Sequence, residues 1–141
     1  VGIVGLSLGG QLAGLVATVT ASLDLIAMVG PPDDLAQVLI STRLGSIYRA
    51  ILEESGTSLD RVRHEVERVS RFLAPSSRCP LVRREDLFVV IGDHDLIVPP
   101  DMSARLASSW EIAAQHYPQG HMSLIFWEKR YLHEFAERLR G

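Results

Sequence analysis

Cysteine is nearly absent, with Cys79 alone among 141 residues. One thiol cannot form an internal disulfide and has no cysteine partner for a zinc site. Set between Arg78 and Pro80, it reads as a bystander. A basic excess is also missing, since 14 Lys+Arg stand against 17 Asp+Glu for a net charge of -3. A nucleic-acid surface is therefore not expected. No apolar run reaches the ~20 residues of a membrane span. The very apolar first thirty residues are cut by Gly2, Gly5, Gly9, Gly10, Gly14 and Asp24. No basic segment precedes that run, as a signal peptide would need, although one upstream of Val1 could carry it; a cytoplasmic location is the expectation. Internal repeats and low-complexity tracts are missing too. What is left, 47% hydrophobic and 22% charged, is the balance of an ordinary globular chain with room for one domain and one core.

The positive signals begin at the first residue. Val1 to Leu6 is a short β-branched run of the kind that forms a strand buried on both faces. From Leu8 to about Thr20 the spacing turns helical: Leu12, Leu15, Val16 and Val19 recur, with Gly9, Gly10, Ala13, Gly14 and Ala17 as small neighbours that let a helix lie close to a sheet. Leu23 to Val29 is a second apolar run, stopped by Gly30-Pro31-Pro32. Strand, helix and strand within thirty residues predict a βαβ unit with parallel strands and a right-handed crossover.

Residues 31–85 read as a helical cap or insertion. Asp33 or Asp34 can cap a helix through Leu35, Val38 and Leu39, and Thr57 or Ser58 can cap another to about Leu73. On the second, Leu59, Val62, Val66 and Val69 mark the apolar face, and the charged residues from Arg61 to Arg68 a solvated one. Leu87 to Ile91 is the next strand, Pro99-Pro100-Asp101 leads a helix to about Ser109, and Glu111 to Tyr117 fits a short edge strand. Ser123 can cap a final helix to about Leu139. The sum is an α/β fold: four parallel strands with helical crossovers.

In an open parallel sheet, function gathers at the carboxyl ends of the strands. Three of those ends carry reactive side chains: Ser7, Asp95 and His121. A serine hydroxyl is a weak nucleophile until a base takes its proton. Histidine supplies that base near neutral pH, and a buried carboxylate holds the imidazole in the right tautomer. Ser7 lies within Gly5-Leu6-Ser7-Leu8-Gly9. On its own the pentapeptide is a weak signal, but between a strand and a small-residue helix it is the pattern of a sharp nucleophile turn, with Gly5 and Gly9 relieving the crowding. The Leu8 N–H, at the positive end of the following helix, can donate to a developing oxyanion. Asp93 is the rival acid on the same turn. His64, His94, His116 and His133 match no motif and are expected on the surface or in the core.

VGIVGLSLGGQLAGLVA, FVVIGDHDLIVPP and YPQGHMSL together resemble the nucleophile elbow, acid segment and histidine loop of an α/β-hydrolase, from the elbow onward. The likeness runs over nearly the whole chain and is least specific over 31–85. It implies Ser7 as nucleophile, Asp95 as acid, the Val98-Pro99 spacing favouring it over Asp93, and His121 as base. A serine nucleophile excludes the aspartate-nucleophile branch of that family. It also implies a serine hydrolase acting on a small-molecule ester, thioester or amide, with no metal or organic cofactor. An acyltransferase of the same fold and a non-catalytic binding module are the alternatives.

The family places four strands before the elbow and takes its second oxyanion donor from the loop after the third. On that pattern the 141 residues are expected to be part of a longer enzyme, and Val1–Leu6 to carry an unpaired apolar edge. Leu35, Leu39, Leu44, Ile47, Tyr48 and Ile51 either line an apolar acyl pocket or pack onto the sheet, the second being favoured. Met28, Trp110 and Trp127 are expected in the core.

Overall fold

A computed structural model describes residues 1–140, without the side chains of residues 41, 43 and 59. The chain order is β1 (Gly2–Leu6), α1 (Leu8–Ala17), β2 (Leu25–Val29), α2 (Leu35–Ser41), α3 (Arg43–Glu54), α4 (Leu59–Leu73), β3 (Leu87–Gly92), α5 (Pro100–Ser109), β4 (Ala114–Tyr117), α6 (His121–Phe126) and α7 (Arg130–Arg138). The sheet runs β1-β2-β3-β4, and every pair is parallel. Each crossover moves one strand in the same direction. Right-handed crossovers of that kind put their helices on one face, and α1 and α5 do share one: Ala13, Ala17, Leu106, Ala107 and Trp110 close over Ile26, Met28, Val89 and Ile91. The chain then turns over the edge after β4, so that Tyr131 and Phe135 of α7 cover Leu25, Ala27, Val29, Phe88 and Val90 on the other face.

The central strands β2 and β3 are buried throughout, as continuous apolar runs covered on both faces should be. β1 departs from the expectation of burial on both faces: Val4 is 43% and Leu6 40% exposed. The strand pairs only with β2, and α7 is centred on the faces of β2 and β3. β1 is thus the outermost strand of the described sheet.

α1 also differs in which residues face inward. Gly10, Gln11, Ala13, Gly14 and Ala17 are buried, while Leu12 points outward and Val19, expected on the helix, is exposed beyond its end. The approach is close enough to decide this. A Cβ on Gly14 would sit 3.0 Å from Pro75 and 3.2 Å from the sulfur of Met28. Helical spacing alone marks the large residues, but contact distance selects the small ones.

The segment between β2 and β3 holds three helices rather than two. Asp34 is the cap of α2, accepting from Gln37 N at 3.1 Å. Asp33 instead ties the return loop, accepting from Ser76 N at 3.0 Å and Ser76 Oγ at 2.5 Å. Ser58 precedes α4 without a side-chain cap bond. On α4, Val62 and Val66 are half-buried, Val69 is exposed, and the buried residue is Ser70, so the inner face is rotated from the expected apolar row. Ser70 Oγ donates to Asp34 Oδ1 at 2.9 Å and accepts from Ala36 N at 3.1 Å, which pins α4 to α2 through polar bonds. Leu44 packs beside Val38, Val98 and Met102, whereas Ile47, Tyr48 and Ile51 stay exposed rather than packing onto the sheet.

The final helix is split in two. Ser123 is not its cap but lies in the first turn of α6, where its Oγ accepts from Gly120 N at 3.0 Å. The break falls at Trp127–Lys129, where Glu128 turns its carboxylate onto Arg130 N at 3.0 Å and onto the guanidinium at 2.8 and 2.5 Å. Trp127, expected in the core, is 74% exposed at this break, while Met28 and Trp110 are buried. Cys79 is free and exposed. Among the described residues no helix is long and apolar enough to cross a membrane.

Candidate active site

The site is assembled by extending the strand ladder one step beyond the strands. Ser7 N donates to Val29 O at 2.8 Å, Gly30 N to Val90 O at 2.8 Å, Asp93 N to Tyr117 O at 2.8 Å, and His94 N to Gln119 O at 3.0 Å. These bonds hold the four loop tips in register at the carboxyl edge of the sheet. Ser7 takes φ 52° and ψ -121° there. A non-glycine residue in that region is strained by about 1–3 kcal/mol and is kept only where its surroundings over-determine it. Two carbonyl bonds help to hold the bend, from Gly10 N at 2.8 Å and Gln11 N at 3.2 Å, both to Ser7 O. Gly5 is required by contact, since a Cβ there would stand 2.1 Å from Gly9 O. Gly9 itself faces open space, so the expectation that both glycines relieve crowding holds for Gly5 only.

The three side chains predicted to act together are brought together. His121 Nε2 lies 2.9 Å from Ser7 Oγ, and His121 Nδ1 lies 2.6 Å from Asp95 Oδ2. The side chains of His121 and Asp95 are 6% and 1% exposed. Asp95 is fixed further by two backbone donors: Ile97 N at 2.9 Å and Val98 N at 2.8 Å both reach its Oδ1. One carboxylate oxygen is thus held by the backbone, and the other is left for the imidazole. The Leu8 N–H, at the first position of α1, has no hydrogen-bond partner among the described residues. It is open to an oxygen bound beside Ser7.

The rival acid is placed elsewhere. Asp93 Oδ1 meets His116 Nδ1 at 2.7 Å, with both side chains well exposed. His64, His94 and His133 are all on the surface. Neither Asp93 nor any of these histidines contacts Ser7.

Two contributors escaped the sequence reading. Gly30 takes φ +54°, and a Cβ on it would lie 3.5 Å from His121 Cε1 and 3.7 Å from Asp95 Oδ2. The Gly-Pro-Pro run signals a stop, but nothing in it announces that the glycine forms the floor beside the imidazole. Gln11 is the other. It is buried on α1, and its Nε2 donates to Leu73 O at 2.8 Å, linking the helix after Ser7 to the end of α4.

No family model matches the chain. An uncharacterized protein of Mycobacterium tuberculosis is 31% identical over 144 residues, which cover 97% of this chain and 31% of the relative. The chain thus spans about a third of the length of the curated relatives it matches. Acetyl xylan esterase 1 from Thermoanaerobacterium sp. JW/SL YS485 superposes with a TM-score of 0.67 at 17% identity, over 97% of this chain and 43% of that one. An acylaminoacyl peptidase of Pyrococcus horikoshii gives 0.69 at 14% identity, over 99% of this chain and 24% of the other. At such identities the likeness speaks for the fold, and the parallel sheet, its crossovers and the turn at Ser7 agree with it: the chain is built on the α/β-hydrolase fold.

Proposed function

We propose that the protein is a serine hydrolase that cleaves a carboxylic ester, thioester or amide through an acyl-enzyme. The observation that carries this reading is the continuous chain from Asp95 through His121 to Ser7, buried at its acid end and strained at its nucleophile. In the first half-reaction Ser7 Oγ attacks the carbonyl carbon while His121 Nε2 takes the hydroxyl proton. The Nδ1–H of His121 donates to Asp95, whose charge stabilises the imidazolium without taking its proton. The Leu8 N–H donates to the tetrahedral oxyanion. The imidazolium then protonates the leaving alcohol, thiol or amine. In the second half-reaction water attacks the acyl-Ser7 ester with His121 again as base, and the acid leaves.

The solved structures that share the fold include an esterase and a peptidase, which supports an acyl-transfer chemistry ending in water. A fluorophosphonate probe tests the reading. Labelling of the parent protein and none of Ser7→Ala is the expected result. Equal labelling of the two would overturn the nucleophile assignment.

A further inference from the structure

The helices between β2 and β3 enclose two hollows that adjoin one another, and neither is lined by Ser7, Asp95 or His121. The first, of about 360 Å³, lies between α2, α3 and α4. Its apolar walls are Leu39, Ile40, Ile51, Leu52, Val62 and Val66, with Tyr48, Arg49, Asp60 and Arg63 completing the lining. The second, of about 700 Å³, is polar and opens between α2, α4 and α5. Ile40 and Arg63 belong to both walls, so the apolar hollow meets the polar one at a shared wall that carries a guanidinium.

The charges of the polar hollow are unequal in what they have left to give. Asp33 is occupied by Ser76, and Asp34 by Gln37 and Ser70. Arg105 is held by Asp101 and Gln37. Arg63 and Arg71 form no ion pair among the described residues, and Glu67 is the one carboxylate of the lining without a bond there. Two unpaired guanidiniums against the one unbonded carboxylate of Glu67 therefore line the polar hollow, next to a hollow whose apolar walls still meet water: Ile51 is 56% exposed. Apolar surface of this kind gains about 25 cal/mol per Å² when an apolar group covers it. A hollow of 300–1,000 Å³ with mostly apolar walls and a few placed polar groups is the usual form of a small-molecule site.

We propose that the two hollows form one binding site for an amphiphile, with a single aliphatic chain in the apolar hollow and an anionic carboxylate or phosphate head at Arg63 and Arg71. The site is separate from Ser7 and does not depend on the hydrolase reading.

Calorimetric titration tests it, with decanoate and decyl phosphate below their micellar concentrations and inorganic phosphate as the headgroup alone. Saturable binding of one decyl chain per protein is expected, with inorganic phosphate at least a hundredfold weaker. Tighter binding of decanoate or of decyl phosphate assigns the head as carboxylate or phosphate. Val66→Trp, which fills the apolar hollow, should weaken both amphiphiles at least tenfold. Arg63→Gln, at an exposed position that threatens the fold little, should weaken both about tenfold and leave the neutral octyl glucoside unchanged. Prior labelling of Ser7 with a fluorophosphonate should change none of these values. The inference falls if the parent shows no saturable binding, if Arg63→Gln binds as the parent does, or if an occupied Ser7 blocks the amphiphile. If Val66→Trp does not fold, the Arg63→Gln result decides alone.

Discussion

Two aspartate–histidine pairs hang from the end of β3 and β4, and their contact distances are nearly equal. Asp95 and His121 meet at 2.6 Å, Asp93 and His116 at 2.7 Å. The difference lies around them. The side chains of the first pair are 1% and 6% exposed, and those of the second 41% and 51%. Asp95 also takes two backbone N–H groups, and the far nitrogen of His121 meets a strained serine. Asp93 and His116 have no third group in line. A short contact between a carboxylate and an imidazole therefore says nothing by itself about the setting in which the pair sits. What distinguishes the inner pair is the dry, fixed setting, where charges act at low dielectric and the second imidazole nitrogen has work to do. A solvated pair of the same length contributes little, because water competes for both groups.

Substitution can break this comparison or sharpen it. The largest effect should come from His121→Gln, which removes the base: a loss of kcat on the order of 10⁵–10⁶ on an activated p-nitrophenyl ester, if the three residues act as a unit. A loss of tenfold or less would put the inner pair on the same footing as the outer one. Asp95→Asn should cost about 10⁴ in kcat with little change in KM, since the shape is kept and the tautomer is lost. The same change at the other acid, Asp93→Asn, gives the matched control. It should leave kcat/KM within about twofold and stability within about 0.5 kcal/mol, as for a surface site. A large loss there would reassign the acid.

A third carboxylate sharpens the argument about setting by pH rather than by rate. Glu128 is buried, and the Arg130 guanidinium beside it holds its carboxyl down at about 2, well below the usual carboxylate range. A group whose folded pKa is depressed contributes stability that is fully present above its ordinary pKa and is lost as pH falls through the folded one. The urea midpoint of the parent should therefore exceed that of Glu128→Gln at pH 6. That advantage should shrink as pH drops from about 4.5 toward about 2. A constant gap across that range would show that the pair stabilises the break between α6 and α7 through shape alone.

Much of the fold is legible in the chain because it rests on local pattern. The strands at Leu25–Val29 and Leu87–Gly92 are short apolar runs with firm stops, Gly30-Pro31-Pro32 after the first and Gly92-Asp93-His94-Asp95 at the end of the second. The order of serine, acid and histidine at three strand ends is legible for the same reason. The departures concern faces more than elements, the exceptions being α3 and the break between α6 and α7. Periodicity marks Leu12 and Val19 as a face of α1, yet the sheet takes the glycines, because the backbone comes too close for anything larger. It marks Val69 on α4, yet Ser70 turns inward to complete Asp34. It runs one helix from Ser123 to Leu139, yet Glu128 caps a new one at Arg130.

By itself the sequence determined the strands, their order and the candidates for the chemistry, since these follow from local propensity and from side-chain reactivity. Only the tertiary structure decided the rest. It separated Asp95 from Asp93, two residues away, by burying one against His121 and leaving the other in water. It set the imidazole between acid and serine across the ends of separate strands. It placed Gly30 beneath the ring. Each of these depends on distances between residues far apart in the chain, which no local pattern encodes and only the assembled sheet supplies.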